Sequence, residues 1–238
     1  VPKSTDTLRN AVTIEGAVVR PGIYGWVDGQ RISDLLSSVP GDLKSTADLG
    51  YALVIRQKNE RLDIEVLQID LAAAILNVES DDNIATKPRD KIIVFGLPQV
   101  SEISSFNIDI EINEDSDLEA DLDQRKVLLK PVIDKLQLQS RSGEPVQTVS
   151  IDGAVKSPGI FPLTAGLTVR KLVAAAGGLK DDAYTKSAEL RKLYLNSGSE
   201  VLSRYEEINL ASEIELVVST RLGSRDHLNV RAMPEWNP

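Results

Sequence analysis

The side chains that could do chemistry are few. His227 is the single histidine and cysteine is absent. A Ser-His-Asp system therefore has one candidate base, and a site with several His ligands is excluded. Thiol nucleophiles, disulfides and thiolate zinc are excluded with the cysteines. His227 stands at the start of an expected strand, has no partner pattern, and reads as a surface residue. Glu15 and Asp152 occupy matching positions of an internal repeat, as do Asp90 and Asp226. Glycoside hydrolysis needs two carboxyl groups held about 5 to 10 Å apart across one bond. Duplication already explains these acids, and no pair shows the required spacing. Asp90 and Asp226, each following an arginine and preceding a strand, read as turn or ion-pair residues, so no catalytic residue is assigned.

Three other patterns invite a ligand. Asp115, Asp117 and Glu119 match the first ligand positions of a calcium loop, but Ala120 stands at its glycine and Lys126 at its bidentate position. No metal site follows, and no cofactor is expected. Gly16, Pro21 and Gly22, with Gly153, Pro158 and Gly159, form the best-defined constellation. Neither set continues into a phosphate-cradling motif, so turn geometry accounts for them. Tyr24, Trp26 and Phe161 could stack on sugar rings. Tyr24 and Phe161 are equivalent strand positions and read as core, whereas Leu163 replaces Trp26 in the second copy. Trp26 is therefore either core or a site unique to the first copy, and with Arg31 it is the candidate ligand-binding pair, for a small molecule or an oligosaccharide.

The elements that must position these residues come from a chain of 238 residues, 42% hydrophobic and 26% charged, with a net charge of −9. That length suggests two domains. The sign of the charge opposes nucleic acid. Leu71–Leu76 is the longest apolar run, far short of the roughly 18 residues of a membrane helix. Val1-Pro2-Lys3 lacks a signal-peptide layout and reads as a mature or excised start. Eight acids and no Lys or Arg lie between Asn107 and Asp123, which nearly exhausts the net charge and leaves two almost neutral flanks. Ser116–Glu119 reads as a capping box. Behind it, Leu118, Leu122, Leu129, Val132, Ile133 and Leu136 form a helical stripe interrupted or kinked at Pro131. Arg125, Lys126 and Lys130 follow as the helix dipole prefers.

Self-similarity is the most informative feature. Val12–Tyr24 aligns without gaps on Val149–Phe161 with eight of thirteen positions identical. Gly29–Ile32 and Leu35-Leu36 correspond to Gly166–Val169 and Leu172-Val173, Ile69–Ala72 to Ile208–Ala211, and Arg89–Val94 to Arg225–Val230. Two homologous domains are expected at 10–98 and 147–234, with an acidic connector and helix at 99–146. Each copy reads as a hairpin from Val12–Val18 and Ile23–Val27, then a helix opened by Ser33 or Thr168. Gly177-Gly178, or Pro40-Gly41 in the first copy, stops that helix. Strands at Ala52–Arg56 and Leu62–Leu67, a short helix at Asp70–Leu76 and a strand at Lys91–Phe95 complete the copy. That order predicts an α+β fold, a small mixed sheet with a helix across one face in the manner of a β-grasp.

The pattern from Val12 through Gly16-Ala17-Val18 and Pro21-Gly22-Ile23-Tyr24, with Arg89-Asp90 before the last strand, resembles the SLBB domain, the soluble-ligand-binding β-grasp module. The second copy is the closer match through Ala176–Leu179, Ala183-Tyr184 and Ala188–Arg191. Tandem copies are similar to those of bacterial outer-membrane polysaccharide export proteins. The resemblance implies a non-catalytic, periplasmic part of a capsular or exopolysaccharide export apparatus, associated with the outer membrane in the full-length protein. It also implies a homo-oligomeric ring, weak and transient contact with polysaccharide, and an inner-membrane chain-length-determining copolymerase as partner. An export-type domain ahead of Thr7, a lipoprotein cysteine and a C-terminal amphipathic helix are not seen, and Val230–Pro238 reads as a truncated junction. The expectation is therefore the middle of an exporter or an accessory protein.

Overall fold

The computed structural model describes residues 10–98, 124–140, 145–195, 201–211 and 220–234. Two mixed five-stranded sheets, with short helices beside them, give an α+β architecture. The first sheet contains β1 (Ala11–Gly16), β2 (Gly22–Gly25), β3 (Ala47–Gln57), β4 (Ile64–Ile69) and β5 (Lys91–Gly96) in the order β2-β1-β5-β3-β4. Helices α1 (Ile32–Leu35), α2 (Val39–Asp42) and α3 (Leu71–Leu76) lie between its strands. After α4 (Gln124–Gln139), the second sheet contains β6 (Thr148–Gly153), β7 (Gly159–Pro162), β8 (Ala183–Leu195), β9 (Val201–Ile208) and β10 (His227–Ala232), with α5 (Val169–Ala175) between β7 and β8. Its order, β7-β6-β10-β8-β9, repeats the first strand for strand.

The repeated sequence explains the repeated ladder. Val12 and Ile14 alternate inward on β1, and Val149 and Ile151 do so on β6. Each first strand pairs antiparallel with its hairpin partner and parallel with the last strand of its unit. β1 ends at Gly16 rather than running on to Val18, because Gly16 adopts φ +95° and a Cβ there would lie 2.0 Å from the Val94 carbonyl oxygen. Gly153 repeats this at φ +84° and 1.9 Å from the Val230 carbonyl. The glycine in each copy is needed for the close approach of the parallel strand, one element away from the Pro-Gly turn.

Several boundaries differ from the sequence expectations. Ser33 lies inside α1, whose N-cap is Arg31; the Asp34 carboxylate accepts from the Arg31 N–H at 2.8 Å. Thr168 does cap α5, its hydroxyl accepting from the Lys171 N–H. Pro40 and Gly41 do not stop α1 but form α2, capped by Ser38. Gly177 and Gly178 do leave α5 through positive φ, at 76° and 96°. Leu62 sits in a turn at φ 64°, so β4 begins at Ile64. α4 runs through Pro131 to Gln139 without interruption. The expected capping box at Ser116, the acids of the connector and the calcium-like loop lie outside the described residues.

Two cores result. One lies between the first sheet and its own helices, around Val12, Ile14, Ile32, Val54, Leu71, Ile92 and Val94. The other is shared between the units: Tyr51, Leu53, Ile55, Ile93 and Phe95 of the first sheet join Leu129, Val132, Ile133 and Leu136 of α4 and the interior of the second unit. Among the described residues, no helix is long and apolar enough to cross a membrane.

Candidate functional site

The two residues singled out for ligand contact meet at one segment. Trp26 follows β2, and its indole Nε1–H donates to the Thr86 carbonyl at 2.9 Å while its ring packs on the first core. Arg31 donates from Nη1 to the Asn83 carbonyl at 2.7 Å. Thr86 donates its N–H and its hydroxyl to the Gln30 carbonyl, and Arg31 and Ala85 form a bridge. Trp26 is half-buried and Arg31 exposed. Their polar ends are thus engaged with the backbone of Asn83–Thr86. Sequence reasoning missed Asn83, which is fully buried. It accepts from the Ser33 N–H and donates to the Ser33 hydroxyl and the Val78 carbonyl. An amide next to a run of Asp and Ser carries no periodic signal, so nothing in the pattern marked it.

The glycine-proline constellation divides. Pro21 and Gly22 stand exposed, whereas Pro158 and Gly159 border a shallow recess of about 130 Å³ between α4 and β7, with Lys126, Lys130 and Ile133 of α4 opposite. Lys130 is paired with Asp134 at 2.7 Å.

The acids hold structure. Arg56 clasps the fully buried Asp90 carboxylate, with Nη2 at 2.7 Å and Nε at 3.1 Å, and donates to the Ala85 carbonyl. Asp90 also accepts from the Lys87 N–H. Asp226 accepts instead from the N–H groups of Gly223 and Leu193, at 2.7 and 3.2 Å. Both aspartates follow an arginine at positive φ, Arg89 at 69° and Arg225 at 63°. Glu15 pairs with Lys91 at 2.6 Å. His227, expected at the surface without partners, is half-buried: Nδ1 lies 2.9 Å from the Ser150 hydroxyl and Nε2 3.5 Å from Asp152. Strand register explains it, because Ser150 and His227 face each other across the parallel β6–β10 ladder. Among the described residues, no three His, Asp or Glu side chains converge as a metal cluster.

The most concentrated chemistry lies between the units. Arg125, read from the sequence only as a cation placed as the helix dipole prefers, is 2% exposed. Its Nη2 donates to Asp48 at 2.5 Å and to the Gly96 carbonyl at 3.0 Å, both in the first unit, and Nη1 donates to the Ala175 carbonyl of the second. The guanidinium lies 5.2 Å from the Tyr51 ring centroid and 5.5 Å from that of Phe95, a cation–π arrangement in a desolvated setting. Tyr51 stacks on Phe95 at 4.8 Å and meets the edge of Phe161 at 6.3 Å. Burial pushes the Tyr51 phenol well above its ordinary range, against the opposing pull of Arg125. Gly177 lies so close to Pro98 that a Cβ would fall 2.0 Å from its Cγ. Gln139 reaches back to edge strand β4, accepting from the Ile64 N–H at 2.8 Å and donating to its carbonyl at 2.9 Å. This arrangement holds two sheets in one relation and assembles no reactive group.

Residues 148–202, from the start of β6 into β9, match the family model of the SLBB domain. The chain carries an SLBB domain. The SLBB family is one of non-enzymatic binding domains. No curated protein matches the chain.

Proposed function

We propose that the chain is a non-catalytic module of two β-grasp units, each of the SLBB kind, working by contact within a capsular or exopolysaccharide export apparatus. The observation that carries this reading is the SLBB match on the second unit together with the identical strand order of the first. The shared core supports it physically. A buried arginine donating to both units, closed over by stacked aromatics, makes a rigid spacer that can present loops and sheet edges to neighbours. In this reading the module is periplasmic and, in the full-length protein, associated with the outer membrane as part of a homo-oligomeric ring. It faces the periplasmic region of an inner-membrane chain-length-determining copolymerase and touches polysaccharide weakly and transiently. Site-directed photo-crosslinking in cells, from exposed positions on each unit, tests it. Adducts with neighbouring copies and with the copolymerase are expected. A monomer that yields neither contradicts the reading.

A second reading, a soluble accessory module binding a small ligand or an oligosaccharide, is favoured by the convergence of Trp26 and Arg31 on Asn83–Thr86. Calorimetry against oligosaccharides, with Trp26→Ala as comparison, decides it. Heat that disappears in the variant supports the reading, and the absence of heat contradicts it.

A further inference from the structure

Corresponding rows of the two sheets have opposite character. Across the first sheet, one row reads Ile23, Thr13, Lys91, Ile55, Val66. Its counterpart across the second reads Ile160, Ser150, His227, Arg191, Tyr205. In the next row, Glu15, Ile93, Leu53 and Gln68 become Asp152, Asn229, Glu189 and Glu207. Leu53, Ile55, Val66 and Ile93 are buried in the shared core. In the second unit, Tyr205 is 60% exposed, and the Asp152 and Glu189 side chains 52% and 43%.

We infer that this outward face of the second sheet is a binding platform for a neutral glycan chain. Tyr205 is its stacking ring, and Arg191, His227, Asn229 and Asp152 form its hydrogen-bonding grid. The inference rests on the polysaccharide contact proposed above and moves that contact away from Trp26 and Arg31. Charge complementarity selects the ligand. The carboxylates of Asp152, Glu189 and Glu207 share this face with the guanidinium groups of Arg191 and Arg231, and Arg231 already pairs with Glu189 at 3.4 Å. A face so nearly balanced gives a polyanion no net attraction. An apolar protein surface laid over it would strand buried charges. Hydroxyl groups donate to carboxylates and accept from guanidinium, so a neutral sugar chain satisfies both signs. From Ser150 to Tyr205 the row crosses three strand spacings, about 14 Å, which lets more than one ring engage in shallow contacts.

The test is retention of the whole chain on an array of neutral and acidic oligosaccharides, compared with Tyr205→Ala, Tyr205→Phe, Arg191→Gln and Trp26→Ala. The expected result is retention on neutral glycans that falls about tenfold in Tyr205→Ala and Arg191→Gln, with Tyr205→Phe keeping most of it. Retention that survives Tyr205→Ala and vanishes in Trp26→Ala overturns the platform and leaves a polysaccharide contact standing. Retention confined to acidic glycans overturns the charge argument. No retention on any glycan overturns both the platform and the contact.

Discussion

The two sheets share an order of strands and differ in what covers them. The first is covered by its helices on one face and, around Leu53, Ile55, Val66 and Ile93, by α4 with the second unit on the other, while Ile23 of that same face stays open. The second is enclosed on its inner face, while the outward residues of β8, β9 and β10 are mostly polar. The ladder and the strand-end glycines require only the repeated positions. The outward face is free to vary, and in one copy it has become core. Duplication thus preserved what closes each sheet and divided the outer faces between joining and display.

Exchanging residues at one matched position probes that division with the largest expected effect. Ile55 and Arg191 each face the last strand of their own sheet. Ile55→Arg drives a charge into the shared core and is expected to cost more than about 3 kcal/mol in urea unfolding. Arg191→Ile, on the open face, is expected to stay within about 0.5 kcal/mol. Equal costs would erase the distinction between the faces. Arg125→Ala comes next. It removes the donor to both units and leaves Asp48 buried without its partner, an expected loss of about 3 to 5 kcal/mol. The two units are then expected to melt apart, seen as a second transition in calorimetry.

A smaller effect is expected at the edge strands. Gln139→Ala frees both backbone groups of Ile64 and should cost about 1 kcal/mol. The smallest concerns pH. Burial opposes the Asp42 charge, but the N–H groups of Ser38 and Ser37, the Ser37 hydroxyl and Arg20 outweigh it and hold the carboxyl below its ordinary 3.8. A lowered folded-state pKa means that protonation favours the unfolded chain. The contribution is therefore complete above pH 3.8 and lost as pH falls through the lower folded value. Asp42→Asn should flatten the acid limb of the stability curve slightly, and an unchanged limb would remove Asp42 from the account.

Much of this was legible in the residues. The repeat was visible because identity concentrates at Gly16, Pro21 and Gly22 and their counterparts. The buried stripe of α4 was visible in its spacing at Leu129, Val132, Ile133 and Leu136. Arg125 was not, because a cation near a helix end normally faces water and only the three-dimensional meeting of Asp48, Tyr51, Phe95 and Ala175 makes it interior. Pro131 was read as an interruption or a kink, and α4 continues through it, its buried residues on either side packed into the shared core. His227 escaped because its partners, Ser150 and Asp152, lie in a strand far away in sequence. A signal for the covered face did exist: Tyr51–Ile55 and Ile92–Phe95 are continuous apolar runs, as strands buried on both sides are. Ala188–Arg191 and Leu228–Arg231 alternate, as strands with one wet face do.

The central claim is that the shared core makes the two units one cooperative body. Urea unfolding followed by NMR reads it directly, with the Trp26 indole proton reporting the first unit and the ring of His227, the single histidine, reporting the second. Coincident midpoints for the two signals are predicted. Separate midpoints would contradict it.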